Sequence, residues 1–288
     1  MAVHTISNQL LRCKVSEQGA ELKSLASTIN HEEYIWQADP AIWAGSAPIL
    51  FPVVGRLNGG KYRYQGKDYS LPIHGFAREQ CFNLHRKTAS SLTLRLRDNQ
   101  QTLLLYPFKF QLDVTFTLNK NSLSVTYLVK NLGKTDMYFS LGSHPAFTLP
   151  LSAFKEEKCS VLFSETEDCF CHLIKQNLLS NTVYPVDIKA RKLIIKSNLF
   201  AQDALIFSDV NSSHVTLLVD EKPRLSLDIG SNKHLGLWAK PNSPYVCIEP
   251  WLTTDEQQNS PKALEEKPDF ICLAPEKDFS NNYQINIH

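Results

Sequence analysis

Neither sign of charge is in surplus in this chain. Lysine and arginine total 30, aspartate and glutamate 29, and the formal net charge is +1. No basic excess argues for a nucleic-acid partner, and no acidic excess argues against anionic ligands. No run approaches the roughly 18 apolar residues that a membrane helix needs. The opening Met1-Ala2-Val3-His4-Thr5-Ile6 lacks the basic start and apolar stretch of a signal peptide. A cytoplasmic protein with no membrane partner is expected. Also missing are a G-x-G-x-x-G turn, a P-loop, a G-x-S-x-G elbow and an H-E-x-x-H helix. Those absences remove dinucleotide, nucleotide-phosphate, serine-hydrolase and zincin chemistry of the usual kinds.

The seven cysteines, at 13, 81, 159, 169, 171, 247 and 272, are odd in number and scattered. Buried, reduced thiols are expected. Cys169-Phe170-Cys171-His172 is not spaced as a zinc knuckle, and no second ligand pair follows it. No metal site is expected there. Cys247 lies near the carboxylate described below, but nothing in the sequence marks a lowered thiol pKa.

What is present is apolar alternation. Hydrophobic residues make up 43% of the 288 and charged residues 20%, enough for a sizeable core. Phe108, Phe110, Leu112, Val114, Phe116 and Leu118 alternate with polar residues. After the turn Asn119-Lys120-Asn121-Ser122, Leu123, Val125, Tyr127 and Val129 alternate back. Such strands show one face to a core and one to water. Val215, Leu217 and Val219 with Leu225, Leu227 and Ile229 predict a second hairpin, and Tyr62 to Leu71 a third. Ser260 to Lys267 is expected as one short helix, with Ser260 as N-cap and Pro261 at its first position. No Pro/Gly/Ser linker divides the strands. The expectation is an all-β fold, one domain over 1–288, built as a large sandwich of antiparallel sheets.

Four polar residues interrupt apolar or Gly/Pro-marked runs. His144 sits in Gly142-Ser143-His144-Pro145-Ala146-Phe147, and Glu249 in Tyr245-Val246-Cys247-Ile248-Glu249-Pro250-Trp251. His74 stands in Pro72-Ile73-His74-Gly75, and Arg56 closes Phe51-Pro52-Val53-Val54-Gly55. Imidazole titrates near neutrality, and a carboxylate in an apolar run is costly unless it is paired or used. Each alone reads more readily as a satisfied structural residue. Their joint presence points to an acid/base site, because perturbed polar groups concentrate at functional sites. On a strand through 245–251, Tyr245, Cys247, Glu249 and Trp251 share one face, which sets aromatic rings beside the carboxylate. Such a wall suits a sugar.

At these residues the sequence resembles the aldose 1-epimerase (mutarotase) family, especially its bacterial LacX-like branch. The matching pieces include Ala47-Pro48-Ile49-Leu50-Phe51-Pro52-Val53-Val54-Gly55-Arg56-Leu57, His74-Gly75-Phe76-Ala77-Arg78, Ser143-His144-Pro145-Ala146-Phe147 and Cys247-Ile248-Glu249-Pro250-Trp251. The resemblance implies a single-domain antiparallel β-supersandwich with a cleft for a monosaccharide. It implies His144 as general acid at the ring oxygen and Glu249 as general base at the anomeric hydroxyl. Arg56 and His74 would bind and orient the sugar, and Asp203 is the best match for a mid-chain acidic sugar contact. Leu252-Thr253-Thr254 departs from the residues that many relatives carry after the tryptophan, which bears on loop shape and substrate preference.

The activity so implied is interconversion of α and β anomers of a hexose. It involves no redox step or group transfer and so needs no cofactor. The partner would be a glucose- or galactose-type aldose, and the assembly a monomer or homodimer. Alternatives are a non-catalytic carbohydrate-binding protein, a mutarotase for phosphorylated hexoses with Arg78 or Lys61 at the cleft mouth, and a purely structural sandwich.

Overall fold

The strands Phe110–Asn119 and Ser122–Asn131 pair antiparallel along their whole length, from Asn131 opposite Phe110 to Ser122 opposite Asn119. The computed structural model, which describes residues 1–176 and 178–288, sets this pair inside a ten-stranded sheet. On one side follow Ser91–Arg97 and Asn83–Lys87. On the other side the last strand of the chain, Asp278–Ile287, is inserted between Ser122–Asn131 and Lys222–Asp228. The apolar members Phe110, Leu112, Val114 and Phe116 are all buried, as the alternation requires.

The second layer is a six-stranded sheet. Its order runs Leu205–Phe207, His234–Trp238, Tyr245–Trp251, Gly142–Ser143 and Ile49–Leu50, with Ala146–Thr148 also paired to Tyr245–Trp251. Ile49–Leu50 lies at the edge, where a run bounded by prolines belongs. The two layers meet through side chains. The Phe51 and Phe110 rings are 5.2 Å apart, as are Phe163 and Phe207, and the Tyr127 hydroxyl lies 2.6 Å from Ser143 Oγ. The fold is therefore the antiparallel, nearly all-β sandwich expected from the alternation.

The helical segments differ from those expected. Ser260 to Lys267 is not a helix; only a 3-10 turn, Leu264–Glu266, forms there. Ser260 Oγ accepts the Gln257 N–H instead of capping, and the Lys262 carbonyl accepts from Arg63 N. Tertiary partners thus take the groups that a first turn would use. Conversely, Gln100–Leu105 is a short α-helix. Asn99 Oδ1 accepts from Gln101 N and Thr102 N, and Thr102 Oγ1 accepts from Asn99 N, a reciprocal cap.

All seven cysteines are free thiols. Cys13, Cys159, Cys171 and Cys247 are buried as expected, but Cys81 and Cys272 are exposed. No helix among the described residues is long and apolar enough to cross a membrane.

Candidate active site

The strand Tyr245–Trp251 organises the site because segments pair with it on both sides. Gly236 lies opposite Glu249 on one flank. On the other, Ala146 lies opposite Cys247 and Gly142 opposite Trp251. His144 falls in the short link between those last two pairings, held by its own N–H to the Pro48 carbonyl and by Ile248 N–H to the Pro145 carbonyl. A side chain at position 142 would come within 2.8 Å of the Trp251 ring, so glycine lets that indole pack where it does. The outcome is that His144 Nε2 stands 3.3 Å from Glu249 Oε2, in a hollow of about 160 Å³.

Aromatic rings enclose the imidazole. Trp43 stacks on His144 with centroids 5.1 Å apart, Trp238 meets it edge-on at 5.8 Å, and His74 meets it edge-on at 5.6 Å. The expectation that Tyr245 and Trp251 would form the aromatic wall holds only for Trp251. Tyr245 is fully buried behind Trp43, with centroids 5.7 Å apart, and Trp43, Trp238 and Trp251 line the hollow. Trp43 sits in a turn after Asp39-Pro40, where nothing in the sequence marks it.

His74 reaches the hollow from a strained turn. Its φ is +67°, and Gly75 follows at +68°. A Cβ on Gly75 would lie 2.2 Å from the Phe51 carbonyl, so only glycine fits. His74 Nδ1 lies 2.6 Å from the Val54 carbonyl. A carbonyl only accepts, so Nδ1 carries the hydrogen and Nε2 of the neutral ring is an acceptor. Burial pushes this imidazole down to about 4, with Arg78 and Arg56 adding to the shift against the bond to Val54.

Two further carboxyl groups, those of Asp203 and Asp255, meet the Arg56 guanidinium in the hollow. Arg56 Nη2 is 3.4 Å from Asp203 Oδ2, and Arg56 Nη1 is 3.4 Å from Asp255 Oδ2. Asp255 Oδ1 also accepts the Arg56 backbone N–H at 2.5 Å. Asp255 was not foreseen. It lies beyond the last strand position of its run, and its pairing with Arg56 is visible only in three dimensions.

Burial pushes the Glu249 carboxyl well above the ordinary carboxylate range, and Asp255 and Asp203 reinforce this against the Trp251 indole. Burial likewise drives the His144 imidazole well below its ordinary value, helped by His74 and Arg78. The free pair therefore favours a protonated Glu249 beside a neutral His144. That state holds the same single proton as a Glu249 carboxylate beside an imidazolium. Transfer between the two needs no exchange with solvent.

Among the described residues, one set of nitrogen, sulfur and oxygen donors converges: atoms of His144, Cys247 and Glu249 lie within 4.8 Å of one another. Cys247 is fully buried, and burial holds its thiol well above the usual range, so a cation there would have to displace firmly held protons. The Cys169 to His172 stretch lies in the strand Phe170–Lys175 and its approach, with His172 Nδ1 on the Ser180 carbonyl at 2.9 Å.

A two-layer antiparallel sandwich whose cleft joins a histidine, a glutamate and a tryptophan wall defines a galactose-mutarotase-like protein. The model of the aldose 1-epimerase family matches residues 2–286. The chain belongs to that family. It is 33% identical to the LacX protein of Lactococcus lactis over 297 aligned residues, covering 98% of both chains. It superposes with a TM-score of 0.92 on a galactose mutarotase related enzyme from Lactobacillus acidophilus, at 33% identity, covering 100% of this chain and 97% of that one. A galactose mutarotase-like protein from Lactobacillus casei gives 0.91 at 27% identity, with both chains fully covered. These likenesses support a mutarotase-type epimerase acting on a sugar.

Proposed function

We propose that this protein is an aldose 1-epimerase that interconverts α and β hexose anomers by ring opening between His144 and Glu249. The observation that carries the reading is the 3.3 Å approach of His144 Nε2 to Glu249 Oε2. The anomeric hydroxyl and the ring oxygen are bonded to the same carbon. An acid and a base serving both must stand side by side in one small hollow.

Glu249 as carboxylate takes the proton of the anomeric hydroxyl while the His144 imidazolium gives its proton to the ring oxygen. The bond from C1 to the ring oxygen breaks, its electron pair stays on that oxygen, and an aldehyde forms. Glu249 is then protonated and His144 neutral, the form that the dry pocket favours. After rotation about the bond from C1 to C2, the C5 hydroxyl attacks the other face of the aldehyde. His144 takes the C5 hydroxyl proton and Glu249 returns its proton to the carbonyl oxygen. Arg56, His74 and Asp203 hold the remaining hydroxyls, with Nε2 of His74 as an acceptor. Residues 1–288 act as one domain in this reading; in support, a single apolar cluster includes both Ile6 and Ile287.

Polarimetry on fresh α-glucose and α-galactose, with the spontaneous rate subtracted, tests the reading. Glu249→Gln is expected to lose about 10²- to 10⁴-fold in kcat. A variant as fast as the parent overturns the base assignment. A pure binding module would instead show saturable sugar binding and no rate above background.

Arg78 favours a second reading, a substrate bearing an anionic group. It lines the hollow, and among the described residues its one carboxylate within ion-pair reach is Glu79, at 4.0 Å. Comparing glucose with glucose 6-phosphate separates the two readings.

A further inference from the structure

Ring opening requires His144 as an imidazolium, yet its surroundings supply little for a positive charge. Its Nε2 faces Glu249, but its Nδ1 is buried and has no hydrogen-bond partner among the described residues. His74, by contrast, has its Nδ1 on the Val54 carbonyl. An imidazole at work ordinarily has its second nitrogen on a carbonyl or carboxylate, which supports the charged ring. Among the described residues, Glu249 is the one carboxyl group within ion-pair reach of His144. Cys247 beside it is a protonated thiol, and His74 and Arg78 both disfavour a charge on the ring. Arg56, Asp203 and Asp255 line the same hollow but are engaged with one another.

What lies against the ring instead is an indole. Trp43 stacks on His144 with centroids 5.1 Å apart and planes 27° apart, whereas Trp238 and His74 meet it at 85° and 90°. The face of an aromatic ring is the negative part of its quadrupole. It attracts a cation within about 6 Å of the centroid, most strongly for tryptophan and where water is excluded. The chain holds the indole there from several sides. Trp43 N donates to the Asp39 carbonyl at 2.8 Å, and the Trp36 indole N–H donates to the Trp43 carbonyl at 2.9 Å. Tyr245 stacks on Trp43 at 5.7 Å, and Trp36 on Tyr245 at 4.7 Å. A side chain at position 45 would come within 2.5 Å of the indole, so Gly45 lets the loop close around it.

We propose that Trp43 is a positioning residue for the acid step: the face of its indole stabilises the His144 imidazolium and so helps to hold the pair's proton on the imidazole. This rests on the epimerase reading above. Burial by itself favours the neutral imidazole beside a protonated Glu249, the state in which no acid is available for the ring oxygen. The indole offsets part of that cost. It does so without adding a titratable group, so the pair keeps its one shared proton. The sign of its removal separates this role from mere shielding. Loss of the aromatic face lowers the imidazole value further, whereas loss of shielding lets water in and raises it.

The experiment is polarimetry on fresh α-glucose and α-galactose as a function of pH, for the parent, Trp43→Leu and Trp43→Phe. Leucine keeps an apolar cover over the imidazole and removes the ring; phenylalanine keeps a ring with a weaker face. In Trp43→Leu, kcat is expected to fall about ten-fold and the acid limb to move about one pH unit lower, with KM and the basic limb little changed. Trp43→Phe should give a smaller shift in the same direction. The position of a limb does not depend on how much folded enzyme is present. NMR titration of the histidines, with His144 identified by its loss in His144→Gln, reads the same lowering without turnover. An acid limb that stays in place or moves to higher pH in Trp43→Leu overturns the proposal. A rise in KM alone also overturns it, and makes Trp43 a platform for the sugar. A parent with no rate above background overturns the epimerase reading, and the His144 titration then decides the role of the indole by itself.

Discussion

Asp255 holds Arg56 at both ends: one carboxylate oxygen accepts the arginine's backbone N–H at 2.5 Å, and the other faces its guanidinium at 3.4 Å. The arginine is thereby aimed between Asp255 and Asp203 without touching the acid/base pair. Asp255→Asn keeps an acceptor for the backbone N–H and removes the charge. KM for the sugar is expected to rise about ten-fold, with kcat changed much less, as for a group that positions a binding residue. Asp255→Ala additionally orphans a buried N–H and should cost about 1–3 kcal/mol of stability. Steady-state kinetics and urea unfolding check the two effects separately.

The acid/base pair dictates the pH profile. The active species carries one proton on the pair, so kcat/KM should be bell-shaped, with limbs that belong to the pair jointly. Burial lowers the imidazole, so the acid limb should lie below pH 6.5. Arg78 adds to that lowering; Arg78→Ala should move the acid limb to higher pH. Asp255 raises the Glu249 carboxyl, so Asp255→Asn should move the basic limb to lower pH. Limbs that stay in place in both variants would contradict the assignment.

His74 links folding to acidity. Its ordinary value is 6.5 and burial takes it to about 4 in the folded protein. Between those two pH values the unfolded chain binds a proton that the native protein refuses. Native stability from this residue is therefore complete above pH 6.5 and is lost as pH falls toward 4. Glu249, with its raised value, has the opposite dependence, so the comparison must be between variants. The change in urea midpoint from pH 7 to pH 5 should be smaller for His74→Gln than for the parent.

Gly75 is the strictest backbone position near the site. Gly75→Ala places a methyl group 2.2 Å from the Phe51 carbonyl at a φ of +68°. A destabilisation of more than about 1 kcal/mol is expected, read as a lower Tm. Because Phe51 flanks the edge strand and His74 precedes Gly75, activity should fall with stability.

Much of the fold was legible because a strand's burial pattern is local. Leu112, Val114 and Phe116 alternate in sequence and are buried in the sheet for the same reason. The Ser260 to Lys267 stretch failed because its capping groups had better partners elsewhere, Gln257 and Arg63. Gln100–Leu105 was missed because its cap is Asn99 with Thr102, in a stretch with little apolar periodicity.

By itself the sequence determined which strands form and that His144, Glu249, His74 and Arg56 interrupt apolar runs, since both follow from neighbours along the chain. Only the tertiary structure decided that Asp255, 199 residues from Arg56, grips it. The same holds for Trp43, which covers the imidazole in place of Tyr245. Each depends on which segments flank the strand Tyr245–Trp251. That is settled by sheet pairing between distant parts of the chain, which no local pattern encodes.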